Sequence, residues 1–107
     1  MDRLTPAEEK VMLKLWELEK ATVKEIVELY TNPKPAYNTV STIVRILERK
    51  KFIKHKAVGR GYIYLPKIEK DAYRDYLAEY MLKHYFNGNK NEVVSFYNSK
   101  VSLTDIL

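Results

Sequence analysis

The sequence predicts a mainly α-helical protein with one small β-hairpin, and three observations support that fold class. From Val40 the apolar residues recur three and four positions apart, the spacing of a helix with one buried face. Between Tyr62 and Leu65, Tyr62 and Tyr64 alternate with Ile63 and Leu65, the period of a β-strand. After Pro66 a helical pattern returns and continues to Phe86. We therefore expect three helices, a hairpin and a helical C-terminal segment.

Two capping boxes predict the starts of the first two helices. Thr5 and Glu8 form the first box, with Pro6 at the first helical position, and this helix is expected to run to about Glu19. Thr22 and Glu25 form the second box. The expected buried stripe of the first helix is Ala7, Val11, Leu15 and Leu18, widened by Met12 and by Trp16, a core or dimer-contact residue. The inward residues of the second helix are Val23, Ile26, Val27 and Tyr30.

A turn containing two prolines separates the second helix from the third. Pro33 and Pro35 cannot continue a helix, so the third helix is expected from about Ala36 to Lys50. Its buried face contains Val40, Ile43, Val44 and Leu47, and the opposite face contains short polar side chains and arginines. Such groups can contact DNA bases and phosphates, although each one alone could equally belong to a solvated helix face. The predicted base-reading residues are Tyr37, Asn38, Thr39, Ser41, Thr42 and Arg45.

The hairpin follows directly, with strands around Ile53–Val58 and Tyr62–Leu65. Gly59 and Gly61 are predicted to allow positive φ at the turn, which leaves Arg60 at the tip. A reading helix followed by a basic hairpin is the layout of a winged helix-turn-helix. The predicted contacts to the DNA backbone are Arg49, Lys50, Lys51, Lys54, Lys56 and Arg60.

The charge distribution supports a polyanionic partner. The net charge is +5 and the pI is about 9.3, and all of the excess positive charge lies within residues 1–66. Residues 45–60 contain seven Lys or Arg and a single acid, Glu48. A charge run alone is more often a solvated surface, but here it coincides with the helix and hairpin expected to meet DNA.

The segment after Pro66 is predicted to mediate dimerisation. We divide the chain into a DNA-binding domain, residues 1–66, and a helical dimerisation segment, residues 67–107, because about 40 residues with a broad aromatic stripe cannot form a core alone. A long helix is expected from Asp71 to Phe86, a short one from Glu92 to Tyr97, and a third capped by Ser102. The sequence ends one turn into that third helix, so we expect a truncated or unusually short segment. The predicted dimerisation residues are Tyr73, Tyr76, Leu77, Tyr80, Met81 and Tyr85.

The sequence favours no enzymatic or metal-dependent function. It contains no Cys, which excludes disulfides and thiolate metal sites, and its two histidines, His55 and His84, lie in different segments and in no metal-binding pattern. No nucleotide-binding or hydrolase motif is present, so we expect neither catalysis nor a cofactor. Without a signal peptide or an apolar run of about 20 residues, we expect a cytoplasmic protein that does not insert into membranes.

In the helices and hairpin described above, the chain resembles the penicillinase-repressor family, which includes the β-lactamase, methicillin-resistance and copper-transport repressors of bacteria. The resemblance is carried by residues 4–16, by the third helix at residues 36–50, and by Phe52-Ile53-Lys54-His55. It weakens after residue 66 and there rests on the helix layout and on Val93-Val94-Ser95-Phe96. It implies a homodimeric repressor that binds a palindromic operator through a winged helix and dimerises through its C-terminal helices.

The resemblance also implies a mode of induction, which this sequence matches only in part. In the β-lactam branch a protease linked to a membrane sensor cleaves an Asn–Phe bond, and the matching bond here would join Ser95 to Phe96. In the copper branch a Cys cluster binds metal, and this chain has no Cys. Two other interpretations stay open: a regulator that binds small phenolics between its dimer helices, and a winged helix used for protein–protein assembly without DNA.

Overall fold

A computed structural model describes residues 1–100 of the chain, as five helices and one hairpin. The helices are α1 (Pro6–Leu18), α2 (Val23–Glu28), α3 (Tyr37–Arg49), α4 (Lys70–Tyr85) and α5 (Lys90–Lys100), and the strands are β1 (Ile53–Val58) and β2 (Gly61–Pro66). This mainly helical chain with a two-stranded antiparallel hairpin confirms the predicted fold class. The helix predicted from Ser102 lies outside the described residues.

The chain divides into two compact units, residues 1–72 and residues 73 onward. The domain boundary was expected at Pro66, where β2 ends, but the next residues remain bonded within the first unit. The indole N–H of Trp16 donates to the Ile68 carbonyl (2.9 Å), and the Phe52 carbonyl accepts from the Lys67 N–H (2.7 Å). These long-range bonds explain why residues 67–72 belong to the first unit.

The first unit is held together by a core from α1, α2, α3 and the start of β1. Both predicted capping boxes are present, at Thr5 with Glu8 and at Thr22 with Glu25, so both helix starts were read correctly. The side chains with no more than 2% of their surface exposed are those of Val11, Met12, Leu15, Ala21, Ile26, Val40, Val44, Leu47, Phe52 and Ile53. The prediction was wrong for Ala7, which is exposed because it lies in the first turn, away from this core.

The hairpin has a two-residue turn, and its register fixes which side chains share a face. Val58 pairs with Gly61, so Gly59 and Arg60 form the turn and Gly61 already belongs to β2. Gly59 has φ +60°, as predicted, whereas Gly61 does not have positive φ, so the prediction for Gly61 was wrong. Ala21 forms an isolated β-bridge with Tyr64, which joins the base of the hairpin to the segment between α1 and α2.

The second unit contains most of α4, and α5, which are separated by a short stop signal. Asn87 and Gly88 both have positive φ, and the Gly88 N–H donates to the Leu82 carbonyl (2.8 Å), which ends α4 as predicted. The Asn89 side chain accepts from the Glu92 N–H (3.2 Å) and caps α5. With this cap α5 starts two residues earlier than expected, and it extends to Lys100. None of the helices within residues 1–100 is long and apolar enough to cross a lipid bilayer.

Candidate nucleic-acid interface

The third helix presents a polar face to solvent because its apolar face is packed into the core. Val40, Val44 and Leu47 are completely buried, and Ile43 and Ile46 are half-buried beside them. Five of the six predicted base-reading residues lie on the exposed part of the helix, together with Arg49. They are Tyr37, Asn38, Thr39, Thr42 and Arg45.

Ser41 departs from this arrangement. We expected it on the exposed face, but only 8% of its surface is accessible, because it lies between the buried positions 40 and 44. Its hydroxyl accepts a hydrogen bond from Nη2 of Arg45 (3.2 Å). Ser41 therefore contacts Arg45 and offers little surface of its own to an external partner.

Thr42 also uses its hydroxyl within the helix. The Thr42 hydroxyl donates to the Asn38 carbonyl one turn earlier (2.8 Å). The next exposed positions along the helix are the cations Arg45 and Arg49. A depression with a volume of about 530 Å³ is lined by Thr42, Arg45, Glu48 and Arg49. A surface with two guanidinium groups and one carboxylate favours an anionic partner.

Glu48 joins the end of α3 to the first strand of the hairpin. Its carboxylate contacts Nδ1 of His55 on β1. His55 in turn packs edge-on against Tyr62 (ring centroids 4.9 Å apart) and lies 6.1 Å from Tyr64, so these three rings share one hairpin face. The sequence predicted the shared face of the two tyrosines, but it gave no sign of the contact with Glu48, because the pairing depends on how the strand folds back.

The pKa of Tyr64 is shifted by its burial and by nearby charged groups. Burial raises the pKa of the Tyr64 hydroxyl, the Glu48 carboxylate raises it further, and Arg45 acts in the opposite direction. Tyr64 is therefore neutral at physiological pH and provides a hydroxyl near Arg45 of α3. This places one polar group of β2 close to the polar face of the helix.

The predicted backbone-contacting lysines do not all lie on one surface. Lys54 pairs with Leu65, and Lys56 pairs with Ile63, so both lysines occupy the hairpin face opposite His55. Arg60 lies in the exposed turn, and Lys51 is exposed just after α3 with φ 67°. These positions leave the lysines accessible to solvent but distribute them around the hairpin.

Lys50 has a partner within the protein. Its ammonium group lies 2.9 Å and 3.0 Å from the two carboxylate oxygens of Glu8, a residue of α1 that is only 5% exposed. Burial raises the pKa of Glu8, but the hydrogen bond from the Thr5 N–H and the adjacent Lys50 ammonium lower it by more, so the net shift is downward. The contact of Lys50 with the DNA backbone stays a prediction, but unlike the other predicted cations Lys50 already neutralises a buried carboxylate.

The second unit exposes several large apolar side chains. Tyr73 is only 3% exposed within a single chain and stacks on Tyr76 at 5.8 Å, so we remove it from the predicted dimerisation surface. Tyr76, Leu77 and Tyr80 are half-buried, and Met81 and Tyr85 are exposed. No residue of α5 is buried, and its exposed large apolar side chains are Val94, Phe96 and Tyr97.

The predicted cleavage bond lies within α5. Ser95 and Phe96 are both exposed, and the Phe96 ring packs edge-on against Phe86 (5.6 Å) and Tyr97 (5.9 Å). The bond is thus on the surface but in helical conformation. Residues 1–100 contain no group of three or more acidic or histidine side chains that could hold a metal ion.

Comparison with known proteins connects these features to a family. The family model described as Penicillinase repressor matches residues 4–107, almost the entire chain. The chain belongs to the penicillinase repressor family. The resemblance that the sequence suggested is thereby confirmed, and it extends through the C-terminal segment.

Individual members of the penicillinase repressor family show how far the similarity extends. A penicillinase repressor from Bacillus licheniformis is 26% identical over 93 residues, which is 86% of this chain and 73% of that protein. The solution structure of monomeric B. licheniformis BlaI, in complex with the blaP half-operator, matches with a TM-score of 0.56 and 23% identity. This match covers 67% of this chain and 89% of the BlaI chain, and at that identity it establishes the winged-helix fold alone.

The CopR repressor structure gives a second match. It is 29% identical with a TM-score of 0.53, and the match covers 64% of this chain and all of the CopR chain. Both structures are of repressors, and the family description names a repressor as well. The chain is thus a winged-helix member of a family of DNA-binding repressors.

Proposed function

We propose that this chain represses transcription by binding a palindromic operator as a homodimer, with α3 in the major groove. The observation that carries the proposal is the division of α3 into two faces. Val40, Val44 and Leu47 fix the helix to the core, while Tyr37, Asn38, Thr39, Thr42 and Arg45 stay exposed on the other side of the helix. A helix held in this way presents the same side chains in the same geometry to every DNA site, as base recognition requires.

The exposed residues have different proposed roles. Asn38 suits adenine and Arg45 suits guanine, because each can form two hydrogen bonds to the base edge. The hydroxyl of Thr42 is occupied by the Asn38 carbonyl, so its methyl group is the part that would contact a thymine methyl. Ser41 would act through Arg45, holding the guanidinium in position rather than contacting a base. Tyr37 and Thr39 complete the proposed reading surface.

The proposed backbone contacts come from the cations that have no partner within residues 1–100. Arg49, Lys51, Lys54, Lys56 and Arg60 form no ion pair with a described residue, whereas Lys50 is held by Glu8. Each phosphate neutralised would add about one unit to the slope of log affinity against log salt. The turn at Gly59 and Arg60 would place one of these charges at the DNA backbone or minor groove beside the reading helix.

Dimerisation is proposed to use the exposed apolar side chains of the second unit. Met81 and Tyr85 on α4 and Val94, Phe96 and Tyr97 on α5 are large and solvent-exposed in a single chain, which is typical of a surface that another molecule covers. Two copies with two-fold symmetry would place their reading helices about 34–36 Å apart, one turn of DNA. Cleavage between Ser95 and Phe96, by a protease linked to a membrane sensor, would cut α5 and weaken this dimer.

The proposal is tested by fluorescence anisotropy with DNA from upstream of the protein's own gene, a scrambled duplex and two salt concentrations. We expect the native duplex to bind about 10³-fold or more tightly than the scrambled one. Arg45→Ala should cost about 1–3 kcal/mol on the native duplex only, with Lys10→Ala on α1 as the matched control. Equal binding to both duplexes, or an unchanged affinity in Arg45→Ala, would contradict sequence-specific reading by α3. Sedimentation of the same samples tests the dimer separately.

A further inference from the structure

A groove in the first unit lies on the hairpin face opposite the His55 cluster, and of its lining residues only Lys54 has a part in the proposed function. It has a volume of about 370 Å³ and is formed by the end of α1, the hairpin base and the segment after β2. This volume lies within the range of small-molecule sites in proteins. The lining residues are Trp16, Glu19, Lys54, Leu65, Pro66 and Glu69.

One wall of the groove is apolar and fixed in position. Leu65 and Pro66 are half-buried residues of β2, and Trp16 is half-buried beside them. The Trp16 indole N–H donates to the Ile68 carbonyl at 2.9 Å, which fixes the orientation of the ring. An aromatic ring held in this way offers contact area to the apolar body of a ligand without ordering cost on binding.

The charged groups of the groove favour a cation. Glu19 and Glu69 contribute two carboxylates against the single ammonium of Lys54, so the groove is net negative on a unit whose residues 1–66 carry +5. Within residues 1–100 neither Glu19 nor Glu69 forms an ion pair. An organic anion would meet two carboxylates here, whereas an ammonium group would neutralise them.

The backbone of Glu19 is strained where α1 ends. Glu19 follows α1 with φ 69° and ψ −37°, and its N–H bonds to the Leu15 carbonyl. Positive φ after a helix is the usual place for glycine, because a side chain there costs free energy. The chain carries a glutamate at this strained position, and that carboxylate lines the groove.

We propose that this groove binds a small organic cation, with an ammonium group between Glu19 and Glu69 and an aromatic or alkyl body against Trp16. The ring of Trp16 would add a cation–π contribution to the ion pairs. Binding would occur on the first unit alone and would require neither DNA nor a second copy of the chain. The proposed site can therefore be tested in the absence of DNA.

Trp16 is the single tryptophan of the chain, so its fluorescence reports directly on this groove. The probe is phenethylammonium, titrated into the full chain with excitation at a wavelength that tryptophan alone absorbs. The neutral control is 2-phenylethanol and the anionic control is phenylacetate, which share the phenyl ring. We expect a saturable change with phenethylammonium and at least about tenfold weaker binding of the two controls, because they lack the charge that the carboxylates select.

Three variants and a matched control locate the ligand. Glu19→Gln and Glu69→Gln should each weaken phenethylammonium binding by about two- to fivefold, the range of a partly exposed ion pair. Glu17→Gln, an exposed residue of the same helix end that does not line the groove, should bind as the unchanged chain does. Glu19→Gly should weaken binding while raising the urea midpoint of unfolding, because it removes the carboxylate and the strained φ together.

The outcomes separate clearly. A saturable, charge-selective titration that weakens in Glu19→Gln and Glu69→Gln but not in Glu17→Gln supports the site. Equal titrations with all three probes, no saturable change, or a Glu69→Gln variant that binds like Glu17→Gln would overturn it. Because no DNA is present in these titrations, their result is independent of whether the chain binds an operator.

Discussion

Replacing Lys50 with methionine separates a structural lysine from a DNA-binding one. The sequence presents Lys50 and Lys51 as equivalent members of one basic run, but in the fold Lys50 holds the buried carboxylate of Glu8 while Lys51 is exposed. Methionine preserves the unbranched apolar stem and removes only the ammonium group. Lys50→Met should therefore destabilise the protein with little effect on DNA binding, and Lys51→Met should do the reverse.

The size of the expected destabilisation follows from the contacts of Glu8. The Glu8 side chain is 7% exposed, and the Lys50 ammonium lies within 3.0 Å of both of its carboxylate oxygens. In Lys50→Met this ammonium is lost, and Glu8 keeps the hydrogen bond from the Thr5 N–H (2.9 Å). Removing one partner of a fully buried pair costs about 3–5 kcal/mol. Because the Lys50 side chain is 31% exposed, water can replace part of the lost interaction, and we expect about 1.5–3 kcal/mol.

Urea unfolding followed by Trp16 fluorescence measures this loss. With a slope of about 1–3 kcal/mol/M for a small protein, Lys50→Met should lower the midpoint by about 1 M without changing the slope. Lys51→Met is the matched control. Lysine and methionine are both unbranched, so the substitution leaves the backbone strain at φ 67° unchanged. Its midpoint should stay where it is.

Salt-dependent DNA binding of the same two variants completes the comparison. Lys51→Met should reduce the slope of log affinity against log salt by about one unit, as expected for a lost phosphate contact. Lys50→Met should leave that slope unchanged. A Lys50→Met variant that unfolds at the wild-type midpoint, or that loses as much salt slope as Lys51→Met, would refute the reasoning.

Three further outcomes are expected from urea unfolding. Folding lowers the pKa of Glu8, so its carboxylate stabilises the fold fully at any pH above the ordinary pKa of 4.5. The stability difference between wild type and Glu8→Gln should therefore disappear as the pH falls through the folded-state pKa of Glu8. Leu47→Ala should cost about 2–5 kcal/mol, because Leu47 is completely buried. Gly59→Ala should cost about 1 kcal/mol for its φ of +60°, while Gly61→Ala, with equal space and no positive φ, should be neutral.

The sequence was sufficient for features that depend on local chemistry. The capping boxes at Thr5 and Thr22 are satisfied by residues three positions away, so the pattern and the hydrogen bonds coincide. The spacing of Val40, Val44 and Leu47 predicted the buried face of α3 for the same reason, because helical periodicity is itself local. The alternation of Tyr62 with Ile63 likewise predicted β2.

The sequence was insufficient where a role depends on distant parts of the chain. Lys50 and Glu8 are 42 positions apart, and nothing in the basic run distinguishes Lys50 from Lys51. Ser41 was placed on the polar face by its chemistry, although it lies beside buried positions on a helix that two other helices contact. Tyr73 was assigned to a dimer surface from its spacing, and its burial within one chain could not be inferred from that spacing.

Two carboxylates with different environments hold α3 at the same end. Glu8 reaches Lys50 from α1 and is buried, so its contribution is mainly to stability. Glu48 reaches His55 on the hairpin and is partly exposed beside Arg45 and Arg49, so its charge also acts on whatever anion those arginines meet. The single acid of the basic run is thus placed where it joins the helix proposed to read bases to the hairpin proposed to contact the backbone. The relative position of these two elements depends on side-chain pairing as well as on the chain that connects them.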